Sequence, residues 1–150
     1  MCGRVLADLG ADVVLVEPPG GVMARSVAPV VDGTGLPFSV QSANKRRLEI
    51  DWTTPAGREQ VLAAVADIVL ESQRPGALAA SGLDREALRA DNPTLVITRV
   101  TDFGQSGPYR DWAGSEWVHL ALSSVLSRSG EPDRPPLMPP GRLASEHAAA

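Results

Sequence analysis

The stretch from Asp67 to Pro108 constrains this chain more than any other. Ile68-Val69-Leu70 is a short apolar run of strand character, and the polar turn Ser72-Gln73-Arg74-Pro75-Gly76 follows it closely. A short helical segment comes next, then Thr94-Leu95-Val96-Ile97-Thr98, which has the length and β-branched content of a buried strand. Two apolar strands with a helix between them describe a βαβ unit, and so an α/β fold. In an open parallel sheet the ligand crevice lies outside the carboxyl ends of the strands. The turn after Leu70 and the segment Phe103-Gly104-Gln105-Ser106-Gly107-Pro108 are therefore the first places to look for chemistry.

At 150 residues and 43% hydrophobic content the chain can bury one ordinary core, which predicts a single domain. A net charge of -4 argues against general attraction to nucleic acid or to acidic membranes, so neither is expected as a partner. One local cluster, Lys45-Arg46-Arg47, runs against that charge and can still capture phosphate. The single cysteine, Cys2, excludes an intrachain disulfide and any paired-cysteine metal motif, which fits a reducing cytoplasm. The opening Met1-Cys2-Gly3-Arg4 leads into a helix-like segment without the long apolar region of a signal peptide. Nor is there a run of about 18 apolar residues of the kind that spans a bilayer.

In chain order, Val5, Leu6 and Leu9 fall at helical spacing, with Gly10 placed to end that helix in a left-handed conformation. Val13-Val14-Leu15-Val16 reads as a strand closing on Glu17-Pro18-Pro19-Gly20-Gly21. Opening on a helix is unusual for such a sheet, as though a first strand were missing. The stretch 22–40 has no clear period and carries Pro29, Gly33, Gly35 and Pro37, so it reads as a long functional loop. The basic cluster then precedes a short half-exposed strand, Leu48-Glu49-Ile50-Asp51. Thr54 and Pro55 open a helix striped by Val61, Leu62 and Val65, and Asp84 caps another, with Leu83 and Leu88 as its hydrophobic staple. Asn92-Pro93 stops that helix. Residues 115–126 put Trp117, Leu120 and Ala121 on one face with Val118, Leu122 and Val125 beside it, predicting a largely buried helix. From Gly130 onward, five prolines forbid regular structure, dividing a body at 1–129 from an extended segment at 130–150 that must lie along some other surface.

Several cations and an amide in loops are what a polyphosphate ligand requires, and Arg25 with Asn44-Lys45-Arg46 fit that need. The competing reading is a solvated basic edge. Gly104 and Gln105 can bring backbone N–H groups close to a ligand, or form an ordinary turn. His119 and His147 have no second ligand at zinc-like spacing, and His119 reads as a partly buried residue with its hydrogen bonds met. No Gly-x-Ser-x-Gly elbow is present to support a serine nucleophile. Glu146 stands in a small, apolar context where a carboxylate is unusual, although an exposed tail residue explains it as well.

Five ordered motifs carry a resemblance. The run Cys2-Gly3-Arg4-Val5-Leu6-Ala7-Asp8-Leu9-Gly10-Ala11-Asp12-Val13-Val14-Leu15-Val16-Glu17-Pro18-Pro19-Gly20-Gly21 closely resembles the N-terminal region of the family III CoA-transferases, the group that includes formyl-CoA transferase, carnitine CoA-transferase and α-methylacyl-CoA racemase. Asn44-Lys45-Arg46 is similar to that family's nucleotide-contacting Asn-Lys-Arg, and Arg74-Pro75-Gly76 to the end of its Glu-Asn-Phe-Arg-Pro-Gly turn. Phe103 to Tyr109 and Gly130-Glu131-Pro132-Asp133 match two further family segments. The resemblance implies a Rossmann-like open, mostly parallel sheet with flanking helices, truncated at both ends and followed by the Pro-rich tail. It implies coenzyme A and acyl-CoA as substrates without a metal, and two subunits interlocked like links of a chain. The cofactor contacts it implies are Arg25, Asn44, Lys45, Arg46, Ser72, Gln73, Arg74, Gly104 and Gln105. A Gly-x-x-x-Ala-Asp pattern places the family's nucleophilic carboxylate at Glu146, reading from Gly141.

The departures are specific. Ser72-Gln73 stand where the family has Asn-Phe, which removes an aromatic face near the expected CoA. Ser115 follows Ala113-Gly114 where the racemase branch has histidine, which counts against racemisation, because that reaction needs two opposed acid/base groups. The leading expectation is transfer of CoA between an acyl-CoA and a carboxylic acid. The alternatives are a lapsed CoA-binding or subunit-partner domain and a racemase-like fragment.

Overall fold

The computed structural model describes residues 1–139 and 141–142. The chain divides into two compact units, one made of Met1–Glu71 and Gly76–Thr98, the other of Ser72–Pro75 and the chain from Arg99 onward.

The first unit opens with α1 (Cys2–Asp8), and Gly10 beyond its end takes φ +99°, the left-handed conformation that terminates a helix cheaply only at glycine. Strand β1 (Val13–Glu17) follows. The stretch 22–40, expected to be a loop, holds regular structure instead: a 3₁₀ turn at Met23–Ser26, the two-residue strands β2 (Val30–Val31) and β3 (Thr34–Gly35), and α2 (Leu36–Ser42). The cause is Asp32-Gly33. Both residues have positive φ, +48° and +75°, which makes a tight hairpin turn pairing Val31 with Thr34.

The basic cluster does not precede a strand, as expected, but forms one. Strand β4 (Lys45–Glu49) lies parallel to β1, with Val13 opposite Lys45 and Glu17 opposite Glu49. Helix α3 (Pro55–Ala64) begins where Thr54 Oγ1 accepts a hydrogen bond from Gly57 N at 3.1 Å, with Pro55 in its first turn. Strand β5 (Ile68–Glu71), the single-turn helix α4 (Ala77–Ala80), α5 (Arg85–Arg89) and β6 (Val96–Arg99) complete the βαβ segment. Asp84 caps α5 by accepting from Ala87 N at 2.7 Å, and β5 pairs with β6. Leu83, Leu88 and Leu95 are buried together, with Trp52, Val61, Leu62 and Ile97 packed around them. Each leucine so buried stabilises the unit by about 1.5–3 kcal/mol.

Both βαβ strands are less buried than their composition predicts. Ile68 and Val96 are half exposed, because each sheet among the described residues has only two strands and leaves a face uncovered. In the second unit α6 (Glu116–Leu122) starts at the Ser115 cap, but it too corrects the expectation of burial. Leu120 is buried, whereas Trp117 and Leu122 are 53% and 68% exposed, since nothing among the described residues covers that side. In the Pro-rich segment, Leu137 N donates to Ser129 O at 2.9 Å, so the chain doubles back on itself there.

Candidate functional site

In the first unit, strand alternation splits the basic cluster, sending Lys45 and Arg47 to one face of β4 and Arg46 to the other. Arg46 meets Asp12 side-on, with Nε and Nη2 donating to the two carboxylate oxygens at 2.8 and 2.6 Å. Arg25 makes the same bidentate contact with Glu17, at 3.0 and 2.6 Å, while its guanidinium stacks 4.3 Å above the Phe38 ring. Arg47 Nε reaches Glu17 Oε2 at 2.6 Å from the strand. Two guanidiniums thus converge on one fully buried carboxylate. The hydrogen bonds from Arg25 hold Glu17 below the ordinary carboxylate range, outweighing the opposite push of burial.

Asn44, at φ +61°, donates to Asp8 Oδ1 at 2.7 Å. Lys45 differs from its neighbours. Its ammonium makes no ion pair among the described residues and lies against the α1 backbone at Gly3, where burial and then the nearby Arg4 charge lower its pKa.

The second unit contains a cavity of about 1000 Å³. Ser72, Gln73 and Arg74 line it, together with Thr101, Asp102, Trp112 and His119. Arg74 makes no ion pair among the described residues, so its five N–H donors are open to a ligand. Asp102 Oδ2 accepts from Gly114 N at 2.8 Å, which fixes the carboxylate, and its other oxygen lies 3.5 Å from His119 Nε2. That distance is within ion-pair reach, yet too long and poorly aligned for a hydrogen bond, so Nε2 is buried with no partner. The expectation of a satisfied histidine is thereby corrected. Thr101 Oγ1 and Gln105 Nε2 are orphaned in the same way, and each such buried atom costs about 1–3 kcal/mol. Gly104 adopts φ +84°, which a side chain would strain.

The structure therefore gathers Ser72, Gln73 and Arg74 at one cavity, while Arg25, Asn44 and Arg46 are engaged with acidic partners inside the first unit. Glu146 lies outside the described residues. Sequence reasoning missed Glu17 and the pair Asp102–His119. The signal for Glu17 was available: a charge closing the apolar run Val13-Val14-Leu15-Val16 must be either exposed or clamped. Nothing in the spacing of Asp102 and His119 announces their meeting, which depends on the turn at Gly114. A β-carbon there would collide with both side chains. Among the described residues no group of acidic, cysteine or histidine side chains is disposed to hold a metal, and no helix is long and apolar enough to cross a membrane.

Short parallel pairing and flanking helices define an α/β protein, and the turn after β5 walls a cavity of its second unit. The chain belongs to CoA-transferase family III, whose family model matches residues 1–149. It is 42% identical over 151 residues to a probable CoA-transferase of Mycobacterium tuberculosis, covering 99% of this chain and 19% of that one. It is 44% identical over 139 residues to the succinyl-CoA–D-citramalate CoA-transferase of Chloroflexus aurantiacus, covering 90% of this chain and 35% of the other. A solved structure of a CAIB/BAIF family protein from Brucella suis superposes with a TM-score of 0.89 at 37% identity, over 95% of this chain and 39% of that chain. The chain thus spans between about a fifth and two fifths of the proteins it matches.

Proposed function

We propose that the protein binds CoA thioesters and takes part in the transfer of CoA between an acyl-CoA and a carboxylic acid. The observation that carries this reading is the family match over residues 1–149, joined to a cavity walled by the Ser72-Gln73-Arg74 turn. Arg74 and Lys45, the two candidate cations without an ionic partner among the described residues, supply charge for CoA phosphates. Arg25 and Arg46 each spend two N–H donors on a carboxylate and keep three for a phosphate oxygen. Asn44, Gly104 and Gln105 complete the proposed CoA contacts. In this reading residues 1–129 form the CoA-binding body and 130–150 carry the reacting carboxylate.

The proposed nucleophile is Glu146. Its carboxylate attacks the thioester carbonyl, giving a mixed anhydride and CoA thiolate. The thiolate attacks the glutamyl carbonyl, releasing the first acid and leaving an enzyme–CoA thioester, and the acceptor carboxylate reverses these two steps to form the new acyl-CoA. Compared with aspartate, glutamate moves the carboxylate by about 1.5 Å, which costs on the order of 100-fold where attack geometry is tight. We place the reaction in a reducing cytoplasm and pair the chain with a second, interlocked subunit, a partner that would cover its exposed apolar residues. The test has two readouts. Calorimetry with CoA should show binding that weakens, with a flatter salt dependence, in the double variant Lys45→Ala, Arg46→Ala. Incubation with acyl-CoA and hydroxylamine should leave a hydroxamate on Glu146. Binding without exchange of labelled carboxylic acid would instead establish the lapsed CoA-binding domain, and no binding at all would refute both.

A further inference from the structure

We propose that the cavity of the second unit selects acyl groups bearing a hydroxyl, through His119 and Thr101, a specificity that rests on the CoA-thioester reading. Gly114 N–H anchors Asp102 Oδ2, leaving Oδ1 as the polar atom facing His119 Nε2 at 3.5 Å. A carboxylate only accepts, so although no hydrogen bond forms at this distance, its charge favours the tautomer with the proton on Nε2. The opposite nitrogen, Nδ1, makes no hydrogen bond among the described residues. In the neutral ring it is an acceptor and in the protonated ring a donor. A hydroxyl serves both states, donating to the first and accepting from the second. An alkyl chain serves neither.

Two further facts point the same way. Thr101, whose Oγ1 is buried without a partner, is a second residue of the same cavity wall with an unmet polar group. The ring of His119 is held edge-on to Phe103, with centroids 5.8 Å apart, and Phe103 in turn packs edge-on against Trp112. This aromatic setting fixes the imidazole and leaves polar recognition to a few atoms, the usual composition of a selective small-molecule site. A hydroxyl that meets these groups gains about one neutral hydrogen bond over an alkyl isostere, on the order of 5- to 10-fold in affinity.

The experiment compares CoA, butyryl-CoA and the 2- and 3-hydroxybutyryl-CoA isomers by calorimetry, with the ring ¹⁵N signals of the protein's two histidines as a second readout. The expected result is that one hydroxy isomer binds about 5- to 10-fold tighter than butyryl-CoA. That isomer should move the His119 signals and leave those of His147 in place. His119→Phe keeps an aromatic ring beside Phe103 and should erase the preference without changing the affinity for CoA itself, and Thr101→Val should reduce it. Equal affinities for all acyl-CoAs with unmoved His119 signals overturn the inference while leaving the CoA reading intact. If no CoA species binds, the CoA reading fails, and free hydroxybutyrates titrated against butyrate decide the cavity's preference by the same ¹⁵N signals: a response to the hydroxy acid alone supports it, and no difference overturns it.

Discussion

Glu17 carries the sharpest consequences of any single residue. Its carboxylate is fully buried and tied to Arg25 and Arg47, and the Arg25 hydrogen bonds lower its pKa from the ordinary carboxylate value. A lowered folded-state pKa means that the stabilisation is fully present above the unfolded value and is lost as pH falls through the folded one. Urea midpoints measured from pH 7 down to pH 3 should therefore fall below about pH 4, and Glu17→Gln should remove part of that slope. Glu17→Ala is expected to cost about 3–5 kcal/mol at pH 7, since it strands two arginines beside an emptied site. Lys45 has the opposite sign. Burial disfavours its charged form, so the penalty is present at neutral pH and relieved only as alkali removes the proton. Lys45→Met should raise the thermal midpoint at pH 7 while weakening CoA binding, a split between stability and function that a simple structural lysine would not show. An unchanged midpoint would sink this account.

At the scale of the element, helix α3 shows how a local rule is overridden. Glycine inside a helix costs about 1 kcal/mol relative to alanine, which makes Gly57→Ala look stabilising. Here a β-carbon would drive into the Asp51 carbonyl and crowd Thr54 Oγ1, the capping atom itself. The expected outcome is a loss of more than about 2 kcal/mol in a denaturant melt, by overpacking and loss of the cap. The caps at Thr54 and Asp84 were legible in the sequence, because capping is a contact over three residues, and Ser115, which was not read as a cap, obeys the same rule. Strands were harder to place. The segment Lys45–Glu49 has no apolar alternation of its own and becomes a strand by pairing with β1, a partner some thirty residues away that local pattern does not encode. The hairpin of β2 and β3 was legible in principle, through Asp32-Gly33, but two-residue strands offer too little pattern to outweigh the surrounding prolines and glycines.

For the molecule as a whole, the α/β class and the family were legible because they rest on motifs spread along the entire chain, whereas burial was not. Apolar composition tells which faces need cover and says nothing about what supplies it. Helix α6 makes the point: its apolar residues were read as core, yet Trp117 and Leu122 stand in solvent beside the buried Leu120. Burying such side chains is worth about 1.5–3 kcal/mol each, enough to drive association wherever a complementary surface is offered. The prediction is concentration-dependent self-association in sedimentation velocity, reduced by the double variant Trp117→Glu, Leu122→Glu without loss of the cooperative melt, because neither side chain contributes to the core. A monomer at every concentration, in both proteins, would show that this face is tolerated in water and that the proposed partner docks elsewhere. A variant that loses its cooperative transition would show instead that α6 is stabilised through these residues within its own unit.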